Sequence, residues 1–214
     1  MGTHTLDRNE PDTLGPCISE AAQEGVGSKA GATVMPPVTP HVGAVARQKR
    51  WGVVLAGGDG VRLRPLTQVI CGDERPKQFC PLFDGQTLLA QTLRRAEVAI
   101  PLEQVLVLLN GQHCQWYLGE SALGRDQRIV QPGNRGTAPP VAHSLLSIAQ
   151  IDEDAIAAVF PSDHHYSDEP LFAAALESAF VRAAEHPKSV VLLGARPDYP
   201  ETEYGWIELG SPAI

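Results

Sequence analysis

From Trp51 onward, short apolar runs alternate with segments whose apolar residues recur at helical spacing; before Trp51 neither pattern is present. Residues 52–56 form an apolar run that predicts a buried strand, followed by a long loop containing glycine. Residues 87–98 carry Leu88, Leu89, Thr92, Leu93 and Ala96 at helical spacing, with Thr87 as the N-cap. The pattern then predicts a strand over 104–109, a helix over 113–123 and a short strand over 128–130. A helix over 139–150 follows, with Pro139 and Pro140 in its first turn, where no N–H is needed. Next come a strand over 155–160 and a helix over 168–184 that turns Phe172, Leu176, Ala179, Phe180 and Ala183 to the core. Strands over 189–193 and 204–209 complete the series. No internal repeat interrupts it.

Apolar strands alternating with helices predict an α/β fold with a mainly parallel sheet covered on both faces. Ligands of such sheets bind beyond the carboxyl ends of the strands. That rule singles out segments 57–67, 110–113, 131–138 and 161–166.

Composition changes this picture at the N-terminus. Residues 1–50 contain no Phe, Trp or Tyr and are rich in Gly, Pro, Ser, Thr and Ala. Such a segment buries too little apolar surface to offset its ordering entropy, so 1–50 reads as a disordered tail and 51–214 as the domain. Arg47, Lys49 and Arg50 read as a solvated lead-in. The net charge of −8 argues against a general nucleic-acid binder. A local nucleotide site needs only a few cations and backbone N–H groups. The four cysteines lie far apart without a C-x-x-C pair, which argues against a zinc site or a disulfide framework. No apolar run approaches the roughly 20 residues of a membrane span, and no signal-peptide pattern opens the chain, so a cytoplasmic location without membrane partners is expected.

The loop after the first strand reads Gly57-Gly58-Asp59-Gly60-Val61-Arg62. Its three glycines let the backbone approach a phosphate chain and turn N–H groups toward it. Arg62 and Arg64 can donate to phosphate oxygens. A dinucleotide loop would need glycine where Leu63 stands and a helix starting at once, which Pro65 discourages. The Walker pattern G-x-x-x-x-G-K-[ST] is absent. A flexible turn is the remaining alternative.

The run from Leu55 to Thr67, followed by Arg75-Pro76-Lys77-Gln78-Phe79, resembles the signature of the sugar-1-phosphate nucleotidyltransferases, most nearly the bacterial mannose-1-phosphate guanylyltransferases. Further matches follow in order: Gln131-Pro132-Gly133-Asn134-Arg135-Gly136-Thr137-Ala138-Pro139, then Phe160-Pro161-Ser162-Asp163-His164, then Pro200-Glu201-Thr202-Glu203-Tyr204-Gly205-Trp206-Ile207. Val61 departs from the threonine common in the family loop.

The resemblance implies a three-layer Rossmann-like nucleotidyltransferase fold. It also implies attack by a sugar-1-phosphate oxygen on the α-phosphorus of a nucleoside triphosphate, with pyrophosphate leaving. Such chemistry asks for alignment and charge neutralisation. By resemblance Arg62, Lys77 and Asp163 are the catalytic set, with Asp163 also the Mg²⁺ ligand. Leu55, Ala56, Gly57, Gly58 and Gly60 would line the nucleotide. Asn134, Arg135, Gly136, Thr137 and Ala138 would read the base, the N-R-G-T-A-P form accompanying guanine. Glu201, Tyr204 and Gly205 would meet the sugar. Bland alternatives stand beside these: an exposed lysine at 77, a turn-capping role for Asp163 or Ser162, and Thr137 as a helix cap. His164 and His165 lack a third ligand at regular spacing and are given supporting roles.

The expected substrates are GTP and mannose-1-phosphate, giving GDP-mannose. The alternatives are another sugar and nucleotide pair, or a nucleotide-binding fragment without turnover. The family's later Glu-Lys-Pro lysine, Asn-x-Gly sugar segment and second metal-binding aspartate have no counterpart before Ile214. The expectation is therefore a C-terminally shortened chain that keeps binding better than turnover. Its uncovered sheet is expected to favour self-association, as a homo-oligomer or an aggregate.

Overall fold

Four of the apolar runs pair side by side into one sheet. β1 (Arg50–Leu55), β2 (Val105–Asn110), β3 (Arg128–Gln131) and β4 (Ile156–Pro161) are all parallel, in the order β3-β2-β1-β4. This is a computed structural model, and it describes residues 46–83, 85–118, 123–195, 199–200, 202, 205–208 and 210. Leu55 pairs with Leu108 on one side and Pro161 on the other, so the strand ends align. The chain runs outward from β1 to β3, then returns to the other side of β1. That reversal opens a crevice at the carboxyl ends of β1 and β4.

The helices are α1 (Arg64–Cys71), α2 (Leu88–Glu97), α3 (Cys114–Tyr117), α4 (Ala138–Ile151) and α5 (Glu169–Glu185), of which α2, α3, α4 and α5 contribute to the cores on the sheet. On one face Val54, Val107, Leu109 and Phe160 pack with Leu89 and Leu93 of α2 and Leu176 and Phe180 of α5. On the other, Trp51, Val53, Leu106 and Leu108 pack with Ile148 of α4. The alternation of strand side chains to opposite faces creates these two cores. Thr87 caps α2 as expected, its hydroxyl accepting from the Ala90 amide at 3.0 Å. Asp168 caps α5, accepting from the Leu171 amide at 2.8 Å.

Several expectations change. Pro65 does not prevent a helix after the glycine loop: a 3₁₀ turn over Val61–Leu63 leads into α1, where Pro65 occupies the first turn. Order begins before Trp51. Arg50 lies inside β1, 4% exposed, with its guanidinium paired to Glu177 at 2.6 Å and stacked over the Phe180 ring. Arg47 donates to the Glu97 carbonyl at 2.8 Å, and Lys49 pairs with Asp154 at 3.0 Å. The basic lead-in is therefore an anchor. Residues 1–45 of the expected tail lie outside the described residues.

Residues 189–193 do not form a strand. Val190 is 86% and Leu192 68% exposed, because an apolar run becomes a strand only when a neighbour accepts its hydrogen bonds, and β4 pairs only with β1 among the described residues. Residues 205–208 are likewise irregular, with Trp206 and Ile207 exposed. The helix expected over 113–123 is regular only across Cys114–Tyr117; residues 119–122 lie outside the described set. Thr137 occupies the N-cap position of α4, but its side chain makes no capping bond. The thiols of Cys71 and Cys80, well separated in sequence, meet at 3.0 Å at the base of the segment that carries Lys77.

Candidate active site

The glycine loop leaves β1 at the crevice, and its path is set by close approaches. A Cβ at Gly57 would lie 2.7 Å from the Gln131 side-chain nitrogen, so any side chain there would have to displace that amide from the end of β3. Gly60 has φ +58°, and a Cβ there would meet the Lys77 backbone nitrogen at 3.2 Å. The loop therefore lies directly on the segment Pro76–Lys77.

Gln78, 3% exposed, fixes the loop from below. Its Nε2 donates to the Ala56 carbonyl at 2.9 Å and the Gly58 carbonyl at 2.8 Å. Those bonds hold the carbonyls on the inner side. The Ala56 amide extends the sheet by donating to the Leu108 carbonyl at 2.9 Å. Ser162, also 3% exposed, donates its hydroxyl to the Leu55 carbonyl at 2.6 Å and ties the end of β4 to the end of β1. Ser162 is thus a structural tie and leaves Asp163 to face the crevice.

A cavity of about 350 Å³ opens there, lined by Leu55, Gly57, Gly58, Gly136, Thr137 and Asp163 among others. It is the size of a small-molecule site. At its mouth the Lys77 ammonium forms an ion pair with the Asp163 carboxylate. The two side chains are 31% and 23% exposed, so Lys77 is not a fully solvated surface lysine. Asn134 lines the cavity too, and its Oδ1 accepts from the Gly136 amide at 2.9 Å in a turn whose Gly136 has φ +81°. Gln131 and Pro140, which sequence reasoning did not single out, complete that wall.

Other expected residues stand apart. Arg62 is exposed on the 3₁₀ turn and is not among the cavity-lining residues. Arg135 and Ala138 are exposed beside the turn without lining the cavity. Gly205 is exposed and irregular, also away from the lining. Glu201 and Tyr204 lie outside the described residues. His165 stacks on Phe83 at 4.5 Å, whereas His164 accepts from buried Arg95 only through its backbone carbonyl at 2.8 Å, and its exposed imidazole Nε2 lies 3.9 Å from Asp163 Oδ1.

Asp59, Asn110 and His113 were missed as well. Asp59 Oδ1 faces Asn110 Nδ2 at 3.3 Å and His113 Nε2 at 3.2 Å, while its Oδ2 accepts from Asn134 Nδ2 at 3.0 Å. Burial lowers the His113 pKa from its usual value, the Asp59 charge opposing that shift. The strand-end rule had singled out the segments 57–67, 110–113 and 131–138 that hold this cluster, but its pairing could not be read from them because its members are far apart in the chain.

For a metal, the donor chemistry is that of a hard cation. Asp163 offers carboxylate oxygen at the cavity mouth, and among the described residues no group of three or more His, Cys, Asp or Glu side chains gathers to hold a metal, there or elsewhere. One carboxylate plus substrate phosphates is a common Mg²⁺ arrangement.

A parallel sheet with a glycine loop at its switch point and a Lys–Asp pair at the mouth defines an α/β protein with a ligand-sized crevice beyond its strand ends. The chain belongs to the nucleotidyl transferase family, whose model matches residues 51–213. It is 36% identical to the xanthan biosynthesis protein XanB of Xanthomonas campestris pv. campestris (strain B100) over 74% of this chain and 33% of that protein. It is 34% identical to a mannose-1-phosphate guanylyltransferase of Escherichia coli (strain K12) over 78% of this chain and 34% of that protein. It thus spans about a third of the length of the curated relatives it matches. The crystal structure of mannose-1-phosphate geranyltransferase from Thermus thermophilus superposes with a TM-score of 0.53 at 32% identity, covering 64% of this chain and 39% of that one. No helix among the described residues is long and apolar enough to cross a membrane.

Proposed function

We propose that this chain supplies the nucleotide side of an enzyme that makes GDP-mannose and pyrophosphate from GTP and mannose-1-phosphate. The observation that carries the reading is the convergence of three segments on one cavity: the loop after β1, the Lys77–Asp163 pair and the turn before α4. Lys77 and Asp163 offset one another's charge at the mouth. A metal-bound triphosphate presents the complementary pair, anionic oxygens for Lys77 and a cation for Asp163.

In this reading a mannose-1-phosphate oxygen attacks the α-phosphorus, the bond between the α-phosphorus and the bridging oxygen breaks, and pyrophosphate departs with that oxygen. Loop amides at Gly57, Gly58 and Gly60 orient the phosphates, and Arg62 steadies the departing pyrophosphate once ligand draws it in. Mg²⁺ held by Asp163 and the phosphates would supply charge neutralisation there. Asn134 to Thr137 face the base. Glu201, Tyr204 and Gly205 frame the sugar. Neither nucleic acid nor membrane enters this reading, and the cytoplasm suits its substrates. The relatives described as mannose-1-phosphate guanylyltransferases support this substrate pair.

A second reading, nucleotide binding without turnover, is favoured by one observation: the cavity wall is built from the loop and turn expected to meet the nucleotide, and Gly205 is not part of it. The purified protein is incubated with Mg²⁺, each common nucleoside triphosphate, and mannose- or glucose-1-phosphate. Pyrophosphate release greatest with GTP and mannose-1-phosphate is the expected result. Product from another pair but none from GTP sinks the guanylyl assignment. Saturable GTP binding with no product from any pair supports the second reading.

A further inference from the structure

Asp59 sits between two glycines of the loop, yet its carboxylate does not line the nucleotide cavity. It lines a separate cavity of about 290 Å³ with His113 and Trp116, on the other side of the loop. Both of its oxygens are engaged. Oδ1 takes Asn110, 1% exposed, and His113, 4% exposed; Oδ2 takes Asn134 at 3.0 Å. The geometry makes Nε2 of His113 the donor, since a carboxylate only accepts. Nδ1 of His113 is buried without a hydrogen-bond partner, so Asp59 is the polar group that orients the ring. Asn110 is fixed at its other end, its Oδ1 accepting from the Gln112 amide at 3.0 Å. Asp59 is thus clamped on its inner side by two buried donors.

The third donor is different in kind. Asn134 is exposed and belongs to the turn that faces the cavity, and its Oδ1 holds the Gly136 amide. One asparagine therefore joins the loop through its amide nitrogen and shapes the turn through its oxygen. We propose that Asp59 is a positioning residue that sets the spacing between the phosphate-facing loop and the base-facing turn, acting through Asn134. The role assigned to those two segments rests on the nucleotide reading above. The spacing fixed by Asp59 matters for a ligand that touches both segments at once, and not for a bare phosphate chain.

The test uses Asp59→Ala, Asp59→Asn, Asn134→Ala and the Asp59→Ala/Asn134→Ala double variant of the whole chain, with GTP and inorganic tripolyphosphate as probes. Asp59→Ala and Asn134→Ala are each expected to weaken GTP binding about tenfold, or 1.4 kcal/mol. Tripolyphosphate binding stays within about twofold, since it carries no base to touch the turn before α4. The double variant is expected to be no weaker than either single one, the signature of two residues acting through one bond. Asp59→Asn keeps one acceptor oxygen and recovers part of the loss; it also stands in if the alanine variant does not fold. Equal weakening of both probes, or additive losses in the double variant, overturns the proposal.

A second readout does not depend on the ligand. Asp59→Ala, or Asp59→Asn in its place, is expected to speed amide exchange at Gly136 while the Thr87-capped Ala90 amide is unchanged. Unaltered exchange at Gly136 overturns the coupling. GTP binding no tighter than that of other nucleotides would instead sink the guanine reading, and the exchange result would still decide the role of Asp59.

Discussion

β2 and β4 are both six-residue strands of the same sheet, and they could hardly be more differently housed. Every residue of β2 is buried between α2 on one face and α4 on the other. In β4 only Phe160 is buried, and Val159 is 43% exposed. The difference follows from place: β2 has strands on both edges, whereas β4 pairs with β1 alone among the described residues. The loop is held by buried Gln78 and the Asp59 cluster, whereas segments 189–193 and 205–208, which follow β4 in the chain, are irregular and largely exposed. The molecule packs its sheet most tightly around β2 and carries half-exposed apolar surface on β4.

The largest test of this contrast lies in the core. Phe79 is 2% exposed and packs against His113 and Tyr117 beneath the loop. Phe79→Ala is expected to lose about 3–5 kcal/mol of unfolding free energy in chemical denaturation. Val159→Ala on β4 is expected to lose less than about 1 kcal/mol, because its methyls are already half in water. Comparable losses at the two sites would erase the distinction between the flanks.

Gln78→Ala comes next. It leaves the Ala56 and Gly58 carbonyls without their buried donor, and an orphaned buried polar group costs about 1–3 kcal/mol. Exchange of the loop amides should rise with the fall in stability. An unchanged melting profile together with unchanged loop exchange would show that the loop holds its shape without Gln78.

The smallest effect is a pH response. Burial depresses the His113 pKa below its usual 6.5. The unfolded chain therefore binds a proton first as pH falls. The contribution is complete above 6.5, and stability declines below that value until the folded histidine also titrates. Asp73 is lowered by its bonds from Arg75 and acts in a separate window: its contribution is full above the usual carboxylate value of 3.8 and fades only below it. His113→Gln should flatten the denaturation midpoint between about pH 7 and 5 while leaving the fall below about pH 4 intact. A slope in the upper window that persists without His113 would assign it to another group.

Legibility from sequence followed the same divide. β1, β2, β4, α2, α4 and α5 announce themselves because each places its apolar residues at the period its burial requires. α1 did not, since Pro65 reads as a breaker until one sees it in a first turn that needs no N–H. Residues 189–193 have the composition of a strand without its hydrogen-bonding partner. Arg50 reads as a solvated cation because Glu177 and Phe180, which make its burial tolerable, lie more than a hundred residues away. In the site, Gly57, Gly58, Lys77 and Asp163 could be named from motif order; Gly57, Gly58 and Asp163 line the cavity, and Lys77 pairs with Asp163. Gln78, Ser162 and Asp59 could not, because what they do depends on partners brought near only by the fold.

Gly60 carries a consequence for how this protein can change. Its backbone is left-handed, and the space a side chain would need is filled by the main chain of Pro76 and Lys77. A side chain at position 60 is disfavoured twice, by the left-handed backbone and by the main chain above it, so the position is expected to accept glycine and little else.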